Sequence, residues 1–245
     1  MAFSNYESSL FRGIEESRPW QIQDEIRSLC RPEDQCLDLG CGTLFKWLPL
    51  LDSVASVTGL ELNDNMICGA LKNIRQRGRG KMRLIKGDSA RLPFSDNSFD
   101  LVTAIMAPSA FEPEVSRILR PGGRYLLETP TEQDQRNIKE AFGKDDVGWR
   151  YSRCSQLRHS TYGQRYDLAE QFFDHFSIRL GRWKTWYSRE ALLSLLEQIP
   201  WIRDYSAEKD QKIIETLIQL YATDQGVETV KERILLIASK QGDGQ

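Results

Sequence analysis

The sequence predicts an α/β fold in which a parallel sheet carries helices on both faces. Short apolar segments alternate with amphipathic ones between residues 35 and 128, which is the rhythm of strand–helix–strand units. The apolar run LDLG at residues 37–40 breaks into glycines, as a buried strand does when it turns into a tight loop. The 245 residues, 40% of them hydrophobic, suffice for one sizeable core.

Each element is predicted from apolar periodicity and from breaks at proline and glycine. Residues 10–30 indicate a helix that Pro19 interrupts. In the first half, strands are predicted at 35–39, 54–60, 82–86, 100–106 and 124–128, helices at 45–51, 63–76 and 112–119, and a turn at 121–123. In the second half, helices are predicted at 133–142, 189–198 and 207–221, an irregular stretch at 144–170, and strands at 172–180 and 232–239.

Composition excludes several classes of protein. The net charge of −2 gives no global basic field for nucleic acid. The five cysteines form no C-x-x-C pair, which argues against a zinc site or a disulfide framework and favours a reducing compartment. No apolar run approaches the ~18 residues that cross a membrane. We therefore expect a cytoplasmic protein that binds neither a membrane nor a metal.

The glycine loop and two later acids indicate a ligand. Gly40 and Gly42 allow a close approach to the backbone, but Phe45 stands where a dinucleotide loop has its third glycine. Glu61 ends the second predicted strand 19 residues after Gly42, near the spacing at which an acid meets ribose hydroxyls. Asp88 ends the third strand and can accept from an adenine amine. Either these acids are solvated loop residues or the three strand ends form an adenosine site.

Four segments carry a resemblance to a known family. CLDLGCGT, GLEL, KGDSARLPFSDNSFDLV and ILRPGGRYLLET, in this order over about residues 30–130, resemble the class I S-adenosylmethionine-dependent methyltransferases, type 11. The resemblance implies a Rossmann-like seven-stranded sheet, with S-adenosylmethionine across its strand ends and a C-terminal insertion as a substrate cap. The positions implied for the donor are Asp38, Gly40, Cys41 and Gly42 at the methionine moiety, Glu61 at the ribose, Asp88, Ser89 and Ala90 along the adenine, and Leu62 and Met106 as apolar walls.

One position departs from the family pattern. The family usually has glycine where this chain has Leu44. We expect crowding beside the methionine end that the loop tolerates, because Gly40 and Gly42 are the closer approach points. The alternative is a protein that binds the donor without catalysis.

Two acceptors are compatible with the sequence. MAPSAFEPEVSRILRPGG, ETPT and residues 199–201 (IPW) resemble bacterial enzymes that methylate a guanine ring nitrogen in large-subunit ribosomal RNA. Their four-cysteine zinc module has no counterpart here, and the pI of about 5.9 is acidic. These two departures favour a small-molecule acceptor that is methylated on an O or N atom, with RNA as the alternative.

Residues 149–189 combine basic and aromatic side chains. Eight Lys or Arg stand against three acids, a local charge of about +5, and seven Trp or Tyr lie among them. Such a segment can stack bases, enclose a planar molecule with an anionic group, or pack its own small core. The resemblance implies that it belongs to the substrate cap.

Candidate bases are few. Of the two histidines, His159 in a polar run is the better candidate, and His175 in FFDHF is typical of a structural histidine. Tyr162 is the second candidate and Glu128 a lesser one, although a ring nitrogen needs no strong base. The segment before the first strand includes Arg18, which either pairs with the donor carboxylate or forms a surface ion pair.

The predicted organisation has three parts. Residues 1–30 form a helical lid. Residues 31–142, together with about 226–240, form the donor-binding core. Residues 143–225 form the insertion that faces the substrate.

Overall fold

The computed structural model describes residues 12–77, 80–89, 91–107, 112–145, 148–150, 161–198 and 202–242. The strands within these ranges are β1 (Ile14–Glu15), β2 (Gln35–Leu39), β3 (Ser56–Glu61), β4 (Met82–Lys86), β5 (Phe99–Ile105), β6 (Leu119–Pro130), β7 (Lys144–Asp145), β8 (Gly148–Trp149), β9 (His175–Tyr187), β10 (Ala222–Thr223) and β11 (Gly226–Ser239). The helices are α1 (Ile22–Leu29), α2 (Asp64–Arg77), α3 (Glu112–Ile118), α4 (Arg136–Phe142), α5 (Thr161–Phe172), α6 (Arg189–Gln198) and α7 (Gln211–Tyr221), with a 3-10 helix at Leu48–Ser53.

The chain divides into two compact units. The larger unit comprises Trp20–Thr129, Tyr162–Leu180 and Ile234–Gln245. The smaller unit comprises Met1–Pro19, Pro130–Thr161 and Gly181–Arg233. Strands β9 and β11 have residues in both. The division into a helical lid, a donor-binding core and a substrate-facing insertion stays a prediction.

The larger unit is built on the predicted parallel sheet. Its strand order is β9-β11-β6-β5-β2-β3-β4, and the pairs β2–β3, β2–β5, β3–β4 and β5–β6 are parallel. Side chains alternate between two buried clusters, so Leu37 and Leu39 join one and Cys36 the other. Helices α3 and α5 contribute Ile118 and Ala169 to the first cluster, and α1 contributes Ile26 to the second. The α/β class with helices on both faces is confirmed.

The smaller unit has its own core. It gathers Ile138 and Phe142 from α4, Leu192 from α6, Ile214 and Leu217 from α7, and Tyr187 from β9. Strand β1 pairs antiparallel with β9, and β10 with β11. The short pair β7–β8 is a separate antiparallel ribbon.

The predicted helix at residues 10–30 is wrong over part of its length. Strand β1 occupies Ile14–Glu15, and the helix begins only at Ile22. The reason is tertiary, because residue 14 pairs with Trp186 across the sheet. The pairing of two residues of β1 with β9 is favoured over a helix, because the apolar periodicity before Pro19 is weak.

The stretch predicted as irregular contains helix α5. Its hydrophobic pattern is weak because only Ala169 of its residues is fully buried. Besides this apolar contact, an ion pair joins Arg165 of the helix to the buried Glu112 of α3. Long-range charge pairing of this kind leaves no periodicity to detect.

The predicted turn at residues 121–123 is a bulge within β6. Phe99 pairs with Leu119 and Leu101 with Arg124, so β6 advances five residues while β5 advances two. Gly122 has φ +72°, and a Cβ at Gly123 would lie 2.7 Å from the carbonyl oxygen of Arg120. The two glycines therefore allow the strand to bulge and then continue.

None of the helices in the described part of the chain is long and apolar enough to cross a membrane.

Candidate functional site

The predicted donor residues collect at one edge of the larger unit. Parallel strands place their carboxyl ends side by side, and here the loop 40–44 follows β2, Glu61 ends β3, Asp88 follows β4 and Met106 follows β5. A hydrogen bond ties the first two together, since the Gly42 N–H donates to Glu61 Oε2 at 2.8 Å. The spacing of 19 residues that predicted this meeting is thereby explained by the geometry of adjacent strands.

The glycine loop is shaped for close approach. Gly40 and Gly42 both adopt left-handed backbone conformations, with φ +59° and +56°. A Cβ built on Gly42 would meet no atom within 4 Å, so this backbone faces open space. Thr43, the next residue, is fastened from α2, where Asn73 Nδ2 donates to its carbonyl oxygen at 2.8 Å. The loop is therefore both open above Gly42 and held in place behind it.

Leu44 has the same left-handed backbone conformation as Gly40 and Gly42. Its φ is +61°, which explains why glycine suits this position. Its side chain is fully buried, and its methyl groups lie about 3 Å from where a Cβ on Gly59 would stand. The Leu44 side chain packs into the core, so it does not crowd the loop where the methionine end was expected. Its unfavourable feature is the strained left-handed backbone.

The carboxylate of Glu61 accepts hydrogen bonds from three backbone N–H groups. Its Oε1 accepts from the N–H groups of Leu62 and Asn63, each at 2.9 Å, in addition to the bond from Gly42 to Oε2. A carboxylate has about four lone-pair sites. Three are used, so the carboxylate is fixed in orientation and keeps capacity for a further hydroxyl donor.

Asp38 is the buried acid beneath the loop. Thr103 Oγ1 on β5 donates to Asp38 Oδ1 at 2.7 Å, and Trp47 Nε1 lies 3.3 Å from the same hydroxyl. Burial raises the pKa of Asp38 to about 6, although Lys46, Thr103 and Trp47 act in the opposite direction. Sequence reasoning missed Thr103 and Trp47. Thr103 could have been found from its hydroxyl, because it stands opposite Asp38 on the neighbouring strand.

The remaining predicted donor residues differ in exposure. Leu62 is 59% exposed, and Met106 is partly buried with φ +58°. Asp88 is exposed and Ser89 half-buried, as contacts to an adenine ring require. Cys41 is buried, which raises the pKa of its thiol and makes it a packing residue. Ala90 lies outside the described residues.

The predicted bases lie in parts of the chain that the structure describes to different extents. His159 lies outside the described residues. Tyr162 stands in the first turn of α5, 38% exposed, and no hydrogen bond in the described part of the chain joins it to the strand ends. His175 is exposed at the start of β9. Arg18 forms the predicted ion pair, with Glu15 at 2.5 Å.

Glu128, which the sequence indicates as a lesser candidate base, lies at this edge of the sheet. It lies near the end of β6 with 3% exposure, and its carbonyl oxygen accepts from the Met106 N–H at 2.8 Å. Trp20 Nε1 donates to Glu128 Oε1 at 2.9 Å. This carboxylate is therefore oriented next to the residue predicted as an apolar wall of the donor site.

The geometry fits S-adenosylmethionine. The donor has vicinal ribose hydroxyls, an amine on its adenine ring and no phosphate. The open backbone above Gly42, the fixed carboxylate of Glu61 and the exposed acid Asp88 are of the kinds that could contact these groups. The third glycine that a pyrophosphate needs is absent from the sequence.

Comparison with protein families agrees with this geometry. Residues 37–127 match the family described as "Methyltransferase domain". The match begins in β2 and ends in β6, so it contains the strand ends from the glycine loop to Met106. It covers the part of the chain on which the predicted donor site rests.

Similar sequences align over the same part. Demethylmenaquinone methyltransferase of Geobacillus kaustophilus is 34% identical over 105 residues, which are 39% of this chain and 45% of that protein. The uncharacterized methyltransferase YcgJ of Bacillus subtilis is 32% identical over 104 residues, 40% of this chain and 41% of that protein. The alignments span less than half of either relative.

Solved structures extend the likeness to most of the chain. YcgJ of Bacillus subtilis superposes with a TM-score of 0.66 at 20% identity, over 89% of this chain and 97% of that one. Phosphoethanolamine N-methyltransferase 2 of Haemonchus contortus, solved with S-adenosyl-L-methionine, gives 0.57 at 16% identity over 91% and 53%. The chain thus has the Rossmann-like α/β fold of the class I methyltransferases, and its residues 37–127 match the methyltransferase domain family.

Proposed function

We propose that the protein transfers a methyl group from S-adenosylmethionine to an O or N atom of a small molecule. One observation carries the proposal. The Glu61 carboxylate is fixed by the Gly42 N–H at the junction of two parallel strand ends, inside the region that matches the methyltransferase domain. A glycine loop and a ribose-directed acid are thereby joined in one rigid arrangement.

Each residue at the strand ends has a role toward the donor. S-adenosylmethionine, when bound, supplies an electrophilic methyl group on a sulfonium. Glu61 accepts a hydrogen bond from one ribose hydroxyl, and Asp88 accepts one from the adenine amine. Gly40 and Gly42 let the backbone approach the methionine moiety. The chain's contribution to the rate is alignment of the two reactants.

The acceptor is proposed to be a small molecule. The similar proteins named above act, by their names, on demethylmenaquinone and on phosphoethanolamine. The ribosomal RNA alternative finds no support in them, and the acidic pI of about 5.9 opposes it. The alternative of a donor-binding protein without catalysis was based on Leu44 in the glycine loop. The side chain of Leu44 is buried in the core, which weakens that argument.

His159 and Tyr162 stay proposed as bases. If Tyr162 takes a proton from the acceptor, Tyr162→Phe lowers kcat and leaves donor binding unchanged. The matched control is Tyr166→Phe, one turn further along α5 and similarly exposed. Equal kcat in the two variants would remove Tyr162 from the mechanism.

Calorimetric titration tests the donor site. Wild-type protein is titrated with S-adenosylmethionine and, separately, with NAD. We expect micromolar binding of the first and none of the second. Glu61→Gln should weaken donor binding about 10-fold or more, since a hydrogen bond to a charged group contributes about 1.5–3 kcal/mol.

The control variant for this titration is Glu33→Gln. Glu33 is an exposed acid just before β2, so its loss changes the charge equally without touching the strand ends. Donor affinity should equal that of wild type. Wild-type affinity in Glu61→Gln, or binding of NAD alone, would contradict the proposal.

A further inference from the structure

A groove runs between helices α4 and α7 of the smaller unit, and we call it the α4–α7 groove. Its volume is about 320 Å³, which is at the lower end of the range for small-molecule sites. Ala141 of α4 and Ile213 and Leu217 of α7 line it with apolar side chains, and Leu220 and Tyr221 extend this lining into the last turn of α7. The groove is therefore mainly apolar.

Two of its apolar side chains are exposed. Leu220 is 70% exposed and Tyr221 is 38% exposed, whereas Leu217, one turn before Tyr221, is 1% exposed. Leu217 and the equally buried Ile214 attach α7 to the core of the unit, so the two exposed side chains add little to its packing. Single exposed leucines are common, but these two residues lie beside each other and are continuous with an apolar groove. Apolar surface of this kind marks a binding site more often than isolated side chains do.

The groove also carries a cation without an ion pair. Lys212 lies in the first turn of α7 and lines the groove, and no carboxylate of the described residues pairs with its ammonium. Glu140, the acid that lines the groove, pairs with Arg136 of its own helix at 2.5 Å. Glu215, three residues after Lys212, accepts a hydrogen bond from Gln211 at 2.9 Å. The groove thus offers one positive charge that the protein does not pair.

The position of Lys212 is unfavourable for the helix itself. The N-terminus of a helix carries a partial positive charge, which disfavours a cation in the first turn. The first turn of α7 contains no acid, and Asp210 just before it is bound by both terminal nitrogens of Arg150. An anion beside Lys212 would interact favourably with the ammonium and with the helix N-terminus.

We propose that the α4–α7 groove binds a single-chain amphiphile, whose anionic head group, a carboxylate or a phosphate, lies at Lys212 and whose aliphatic chain extends toward Leu220. These two residues are eight positions apart on α7, which corresponds to about 12 Å along the helix. Since one water molecule occupies about 30 Å³, the groove has room for about ten non-hydrogen atoms. All of its lining belongs to the smaller unit, so the proposed ligand is independent of the proposed donor site.

Calorimetric titration of the full chain with five probes tests the proposal. Sodium octanoate and octyl phosphate carry a chain and an anionic head, whereas acetate has the head alone and 1-octanol the chain alone. Octylammonium has the same chain with the opposite charge. At one ionic strength, octanoate or octyl phosphate should bind at least about 10-fold more tightly than the other three probes. Failure of both anions to bind, or equal binding of octylammonium or 1-octanol, would overturn the proposal.

Lys212→Met locates the head group, and Lys209→Met is its matched control. Lys209 is exposed, precedes α7 by two residues and does not line the groove. The affinity for octanoate should fall at least about 10-fold in Lys212→Met and stay at the wild-type value in Lys209→Met. Equal affinities in the two variants would show that the anion binds elsewhere and would refute the assignment.

Thr216→Phe locates the chain by filling the groove. Thr216 is exposed and lines the groove, and its hydroxyl donates only to the carbonyl oxygen of Lys212 in the same helix. Gln219→Phe is the control, because Gln219 is exposed on α7 and does not line the groove. Octanoate should raise the melting temperature of wild type and of Gln219→Phe, but not that of Thr216→Phe. An equal rise in both variants would contradict the proposal, and if Thr216→Phe did not fold, the two lysine variants would decide.

Light scattering tests the competing occupant, which is a second copy of the chain. An exposed leucine beside a groove is also what a two-fold interface between copies requires. We expect wild type and Leu220→Asn to have the same monomeric mass, and Leu220→Asn to bind octanoate more weakly. A larger wild-type particle that Leu220→Asn converts to a monomer would make the groove an interface between copies and would overturn the proposal.

Discussion

At the scale of the residue, Leu44 shows a conflict between backbone and side chain. Its φ of +61° belongs to the left-handed region, which costs a non-glycine residue roughly 1–2 kcal/mol. Its side chain is fully buried against Gly59 and the second core cluster, which contributes more than that cost. The leucine is therefore retained by packing, in a loop whose backbone favours glycine.

Leu44→Gly should lower the free energy of unfolding by about 2–4 kcal/mol, because the loss of a buried leucine outweighs the relief of backbone strain. Urea unfolding measures the change. Asp204→Gly is the control, since Asp204 has φ +52° and an exposed side chain; it should shift stability by only a few tenths of a kcal/mol or raise it. A more stable Leu44→Gly protein would refute the account of packing.

Asp38 makes stability depend on pH. Its pKa in the folded state, about 6, lies above the model-peptide value of 3.8 because burial disfavours the charged form. The folded state therefore binds the proton more tightly, and stability falls as pH rises from about 4 to about 6. Above that window the charged Asp38 costs about 3 kcal/mol, at 1.36 kcal/mol per pKa unit.

Asp38→Asn should therefore stabilise the fold at pH 8 by up to about 3 kcal/mol and have little effect at pH 4. The amide oxygen can still accept from Thr103, so that hydrogen bond survives. Denaturant unfolding at both pH values measures the difference, with the exposed Asp52→Asn as control. An Asp38→Asn protein whose stability relative to wild type is the same at both pH values would disprove this account.

At the scale of the element, a buried ion pair joins the start of helix α7 to Arg150, which is 60 residues away in the sequence. Arg150 donates to both carboxylate oxygens of Asp210, at 2.7 and 2.9 Å, and to the carbonyl oxygens of Arg203 and Asp204. Asp210 directly precedes the helix and is 2% exposed. The pair therefore fixes the start of α7 to the segment that follows β8.

Arg150→Met should lower the free energy of unfolding by about 3–5 kcal/mol, because it leaves Asp210 buried and unpaired. The control is Arg136→Met, whose exposed pair with Glu140 is worth about 0.5 kcal/mol or less. Hydrogen bonding from Arg150 lowers the pKa of Asp210, so the difference should shrink as pH falls through that pKa. Equal losses in the two variants would rule out a structural role for the pair.

At the scale of the whole molecule, donor binding is linked to folding. A ligand that binds only the folded state at 100 times its Kd stabilises it by about 2.7 kcal/mol. S-adenosylmethionine should therefore raise the melting temperature by about 5–10 °C for a chain of this size, and NAD should not. The shift should be smaller in Glu61→Gln and unchanged in Glu33→Gln. A shift of the same size with NAD would contradict the donor assignment.

Much of the larger unit could be predicted because its signals are local. Strands β2 to β6 and helices α2 and α3 follow from apolar runs and breaks within about ten residues. The strand ends then converge because parallel pairing aligns them. Strand β1 and helix α5 could not be predicted, since they depend on Trp186 and Glu112, far away in sequence.

The sequence by itself determined that a glycine loop and an acid 19 residues later meet at adjacent strand ends, since that spacing is set by one strand–helix–strand unit. Only the tertiary structure decided that Leu44 turns into the core and that Thr103 supports Asp38. The physical reason is that burial and pairing depend on which distant residues surround a side chain, and the local sequence does not contain that information.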